Sequence, residues 1–189
     1  AMVRVKTSQG TAKQWLHHYQ IIGRATPSES VVTPKVWKFE VYAPNRVVAK
    51  SRFHYYLNRQ QKIKKASGTE ILAITEIQDK HPLRVANYAV ALRARSKYSI
   101  TNLTKEFRDV TAVGAVQQMY HEMAARHRAR FYDVQVIKAS KRTSLNDTKR
   151  PACKQFMDSK ISFPLSRRIR KRLVLKRNDF QARAPTTFA

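Results

Sequence analysis

The five residues from Arg126 to Arg130 hold three arginines and one histidine, with no acid among them. Such a run could ligate a metal, carry a catalytic histidine, seat phosphates, or form a solvated surface. A metal site needs three or four convergent ligands. His121 and His127 are six residues apart and fall on different helix faces, while His17 and His18 are adjacent and point apart in a strand. His54 and His81 stand by themselves in the sequence. The single cysteine, Cys153, excludes an intramolecular disulfide and a cysteine zinc site. It sits beside Lys154, and no sequence feature places a general base against it. The glycines Gly10, Gly23, Gly68 and Gly114 never cluster, so no phosphate loop or dinucleotide turn is present. No enzyme, cofactor, metal or small-molecule substrate is therefore expected. Cations at a helix C-terminus complement its dipole, but one or two suffice. Three exceed that need, and the arginine fork matches phosphate oxygens. A phosphate seat is the favoured reading.

The whole composition agrees. Lys and Arg number 38 against 12 acids, a net charge of +26 over 189 residues. Such self-repulsion destabilises a compact state unless a polyanion neutralises it. Nucleic acid is the leading partner, ahead of an anionic membrane surface. A hydrophobic content of 42% permits a real core. No apolar run reaches transmembrane length, and the given start shows no secretory apolar h-region, so neither a membrane span nor a secretory signal is expected. The basic, acid-poor start also fits the composition of a mitochondrial presequence.

Two helices are expected to carry the cations. Alternation predicts strands over 19–25 and 36–43, the latter stopped by Pro44. Asn45 is the expected N-cap. Ala49, Phe53, Tyr56 and Leu57 then share one helical face. That helix presents Arg46, Lys50, Arg52, Arg59, Lys62, Lys64 and Lys65. A strand over 69–78 follows. The pattern recurs: strands over 87–96 and 102–111, a helix capped by Thr111, and a closing strand over 132–140. Val113, Val116, Tyr120, Met123 and His127 form the second apolar stripe, which makes His127 a core histidine. The fold class is α+β: two tandem ββαβ units, each a sheet covered by one helix. The boundaries read as a basic extension over 1–14, units over 15–80 and 81–140, and a basic tail over 141–189.

The tail holds 14 Lys or Arg against three Asp, a net +11 over 49 residues. With Pro151, Pro164 and Pro185 and no long apolar period, it is expected to be irregular without a partner. Arg150, Lys154, Lys160, Arg167, Arg168, Arg170, Lys171 and Arg172 interleave with Phe156, Phe163 and Ile169. That pattern suits folded RNA, though "RRIRKR" also suits nuclear import, and Pro164 argues against a membrane helix.

The blocks "YAPNRVVAKSRFHYYL", "HPLRVANYAVALR", "EFRDVTAVGAVQQMYHEMAARHRARF" and "RPACKQFMDSKISFPL" closely resemble a eukaryotic cytosolic large-subunit ribosomal protein family, numbered eighteen-a in older nomenclature and twenty in newer. The likeness runs in one order from Tyr19 to Leu165. The resemblance implies a non-catalytic constituent of the large subunit, bound to large-subunit rRNA and neighbouring ribosomal proteins. It implies the cytoplasm as location, with assembly in the nucleolus. It also makes Lys50, Arg52, Arg126, Arg128 and Arg130 contact candidates. The extension before Trp15, "KASKRTSLNDTK" and the segment after Arg172 depart from the family pattern. An assembly factor that leaves before the subunit matures is the alternative. An RNA-modifying enzyme is a further one, for which the sequence offers no site.

Overall fold

The structure, a computed structural model, describes residues 15–63, 68–82 and 84–163. Its elements follow in the order β1 (His17–Ala25), β2 (Val36–Ala43), α1 (Arg46–Gln61), β3 (Thr69–Glu76), β4 (Ala86–Arg95), β5 (Ile100–Asp109), α2 (Ala112–His127), β6 (Val134–Arg142) and α3 (Pro151–Lys154). Two antiparallel three-stranded sheets result, ordered β2-β1-β3 and β5-β4-β6. Each is covered by one helix, as the repeated ββαβ pattern predicts. Both central strands carry a register irregularity, between Ile22 and Gly23 in β1 and between Ala91 and Leu92 in β4. Residues up to Lys154 form one compact unit, and a second begins at Gln155.

Side-chain alternation builds each core. Tyr19 and Ile21 of β1 and Val41 and Ala43 of β2 face Ala49, Phe53 and Leu57 of α1. Gly23 continues that face because the Phe53 ring lies against it. A β-carbon there would stand 2.7 Å from both the ring and the Glu70 carbonyl. The second core gathers Tyr88, Val90 and Leu92 of β4, Phe107 of β5, Val134 of β6 and the Val113, Val116, Met119, Tyr120 and Met123 stripe of α2. It also takes in Leu16 and Tyr42 from the first half of the chain. Burying such side chains contributes roughly 1.5–3 kcal/mol each.

The helix ends follow local chemistry. The Asn45 side chain accepts from the Val48 N–H at 2.8 Å, and Thr111 Oγ1 accepts from the Gly114 N–H at 3.0 Å. Lys62 and Arg128 close α1 and α2 in the left-handed region, with φ of 58° and 50°. After α2 the Ala129 N–H returns to the Met123 carbonyl at 3.2 Å, satisfying an end carbonyl.

Two sequence expectations need correction. The α2 stripe stops at Met123, and His127 is exposed. Its Nε2 lies 3.3 Å from Lys105 Nζ. One further turn of helix has already carried that face past the edge of the core. The segment from Lys141 is also not irregular at its start. Strand β6 runs through Arg142, and α3 holds Cys153 buried. The Lys149 and Arg150 N–H groups donate to the Glu106 carboxylate at 2.9 and 2.7 Å, and Asn87 Nδ2 donates to the Cys153 carbonyl at 3.1 Å. Residues 144–154 thus strap the outer face and edge of the second sheet.

Candidate nucleic-acid interface

The arginine run surrounds the end of α2. Arg126 lies in the last turn, Arg128 is the left-handed cap, and Arg130 opens the single-turn 3-10 helix Phe131–Asp133. All three are exposed. Beside them the β4–β5 hairpin turns tightly. Ser96 N–H donates to the Ser99 carbonyl at 2.8 Å, and Ser96 Oγ accepts from the Tyr98 and Ser99 N–H groups at 3.2 Å each. The hairpin and the helix end enclose a groove of about 300 Å³. Arg95, Lys97, His127 and Arg128 supply its basic lining, with Ser96, Thr101 and the one acid Asp133 among them, while Ala94, Leu103, Met123 and Ala129 supply apolar floor. Tyr98, 88% exposed, stands at the hairpin tip with Lys97 Nζ 5.5 Å from its ring centre. Cations with an apolar floor and an exposed aromatic ring can hold phosphate and stack a base.

Arg95, Lys97 and Tyr98 were not among the sequence candidates. The hairpin "RARSKYS" does carry the signal, since it interleaves cations with an aromatic at a turn. Only the fold brings it to the α2 end.

The other candidates fall into different places. Lys50 is exposed on α1 beside Val47 and His54, and Lys62 caps that helix. Arg46 donates from Nη2 to the Ile74 carbonyl at 3.3 Å. Lys154 is exposed at the end of α3. Lys160 belongs to the second compact unit, where its N–H meets Asp158 Oδ1 at 2.8 Å. Lys64, Lys65, Arg167, Arg168, Arg170, Lys171 and Arg172 lie outside the described residues.

Two candidates face inward. Arg52 is half-buried where the two ββαβ units meet. Its Nη1 donates to the Tyr42 carbonyl at 3.4 Å and approaches Tyr120 Oη at 3.5 Å, and its guanidinium lies 4.2 Å from the Phe131 ring centre. Trp15 and Tyr120 complete that aromatic cluster, at 5.4 and 4.6 Å from Phe131. Arg150 donates to the Glu106 carbonyl at 3.0 Å and to Glu122 Oε2 at 3.2 Å. Glu122 also receives Lys105 Nζ at 2.9 Å. Burial pushes the Glu122 carboxyl up, but the hydrogen bonds from Lys105 and Arg150 outweigh it and hold the group below its ordinary value.

Among the described residues no three His, Cys, Asp or Glu side chains converge to hold a metal, and no helix is long and apolar enough to cross a membrane. The chain matches, over residues 16–140, the family described as the 60S-L20 ribosomal proteins, which also carry the number eighteen-a with a 50S or 60S prefix. It is 46% identical over 173 residues to the large ribosomal subunit protein eL20 of Candida albicans, covering 92% of this chain and 98% of that one. It is 41% identical over 179 residues to the protein of the same name from Spodoptera frugiperda, covering 94% and 98%. With a family match over most of its length and two relatives aligned nearly end to end, the chain belongs to this family of large-subunit ribosomal proteins.

Proposed function

We propose that the protein is a structural constituent of the large ribosomal subunit in the cytoplasm, after assembly in the nucleolus. It binds large-subunit rRNA and neighbouring ribosomal proteins and supports translation without catalysing a reaction. The groove at the end of α2 carries this reading. It joins Arg128 and His127 to Arg95 and Lys97 over an apolar floor, with Tyr98 at its rim. Arg46, Lys50, Lys62, Arg126, Arg130 and Lys154 extend the cationic surface, and Lys64, Lys65, Lys160 and the run Arg167, Arg168, Arg170, Lys171 and Arg172 add charge. The units over 15–80 and 81–140 serve as the body, with the extension over 1–14 and the segment from 141 onward as further contact regions.

Sucrose-gradient fractionation at rising salt tests the reading. The chain should follow large subunits and polysomes and stay bound at salt that strips transient factors. Its presence only in precursor particles would replace the structural role with an assembly role.

A further inference from the structure

One acid lies among the cations of the groove at the end of α2. Asp133, half-buried, closes the 3-10 turn after that helix, and its N–H donates to the Arg130 carbonyl at 3.0 Å. It lines the groove together with Arg95, Lys97 and Arg128. Among the described residues its carboxylate makes no hydrogen bond or ion pair, although the chain holds 38 Lys and Arg against 12 acids. A seat for phosphate alone is weakened by such a group, because the two negative charges repel.

A base explains the acid where a phosphate does not. A carboxylate is an acceptor with two oxygens side by side. The Watson–Crick edge of an unpaired guanine offers two adjacent donors, N1–H and the 2-amino group, which two parallel hydrogen bonds can satisfy. Adenine and cytosine offer one amino group beside an acceptor nitrogen, and uracil one N–H between two carbonyls. Each sets an acceptor against the second carboxylate oxygen, which leaves a repulsive contact. In a paired stem the same edge of guanine is already occupied. The groove, at about 300 Å³, is at the small end of ligand sites and suits a single nucleotide. Leu103 and Met123 in its floor suit the flat face of a base, and Arg95 and Arg128 suit its phosphate.

We propose that this groove selects one unpaired guanosine of RNA. Asp133 accepts hydrogen bonds from N1–H and the 2-amino group, and the arginines neutralise the phosphate. The inference rests on the reading of the groove as an RNA contact and adds which base that contact chooses.

The test measures binding of the full chain to short RNA hairpins, each with one bulged nucleotide: guanosine, inosine, adenosine, cytidine or uridine. A fully paired hairpin completes the set, and each is titrated at several salt concentrations. The guanosine bulge should bind about tenfold tighter than the adenosine, cytidine and uridine bulges, as one bidentate base contact provides. Inosine lacks the 2-amino group and should lose most of that preference, a comparison that needs no variant. Asp133→Asn should remove the preference for guanosine and bind the paired hairpin at least as well as the parent chain, since a negative charge leaves a cationic groove. Its melting temperature should stay unchanged. Absent or salt-independent binding to every hairpin would overturn the RNA reading and this one together. Salt-dependent binding with equal affinity for all bulges would overturn this one alone. So would a preference for another base or for the paired hairpin, inosine equal to guanosine, or a guanosine preference that survives Asp133→Asn.

Discussion

Arg52 and Arg128 share a side chain and differ in what surrounds it. Arg52 lies over Phe131 and bonds to the Tyr42 carbonyl, so its charge serves to join the halves of the protein. Arg52→Ala should lower thermal stability by about 1–3 kcal/mol through lost cation–π and hydrogen-bond contacts. Denaturant unfolding would read this loss, while the salt slope of RNA binding stays unchanged. Arg128 lines an open groove, and among the described residues no acid is salt-bridged to it. Replacing Arg126, Arg128 and Arg130 with glutamine should leave melting nearly unchanged, since surface charges contribute little to folding. The slope of log affinity against log salt should fall by roughly three units, about one per phosphate contact. His127→Ala, at an exposed position, should change stability by less than about 0.5 kcal/mol. These differences were not legible from spacing. Helical periodicity puts His127 on the apolar stripe, but only the size of the sheet decides where the stripe ends. Likewise Arg52 adjoins Phe53 in sequence, while Tyr120 and Phe131 reach it from far along the chain.

Strands and helices were legible because each element carries its own period and stop signals. Pro44 and Asn45 separate β2 from α1, and Thr111 opens α2, so these boundaries fall within a residue or two of the expectation. The strap was not legible, because its local turns (Thr148 Oγ1 to the Ser144 carbonyl, the Pro151–Lys154 helix) do not say which surface they pack on. Its order comes from Glu106, which in sequence reads as one more outward residue of an alternating strand. Its side chain instead receives two backbone N–H groups from beyond β6. Glu106→Gln should loosen residues 144–154 and raise their amide exchange, at a cost of about 1–3 kcal/mol. The strap and the sheet ends also set a pH dependence. Burial lowers the pKa of His18, which stacks on Tyr42 at 4.4 Å, against the upward pull of Glu40 and Asp79. The folded state then binds fewer protons than the unfolded chain, so stability falls as pH drops below the ordinary histidine value of 6.5. Glu122 is also held below its ordinary value of 4.5, so its contribution is present above that pH and lost as pH falls through the folded value. Thermal melts should decline in two stages on acidification, and Glu122→Gln should remove the lower one.

Over the whole molecule, charge and cohesion pull in opposite directions. At net +26 the isolated chain repels itself, and salt screens that repulsion. Its melting temperature should rise between low and moderate salt, while its affinity for RNA falls steeply over the same range. Measuring both on one preparation checks the electrostatic reading, since equal signs would contradict it. The two halves are cohesive but not equivalent. The second core takes in Leu16, just before β1, and Tyr42 of β2, both from the first half of the chain. This loan runs in one direction along the chain, and it fixes an order of events during synthesis. A nascent chain delivers Leu16 and Tyr42 before any residue of β4, so the lid of the second core is waiting when its contents arrive. A circular permutant that begins at β4 would reverse the schedule. It would expose Tyr88, Leu92 and Met119 for the time needed to translate the rest, and the result would be aggregation during synthesis rather than a change in the finished fold.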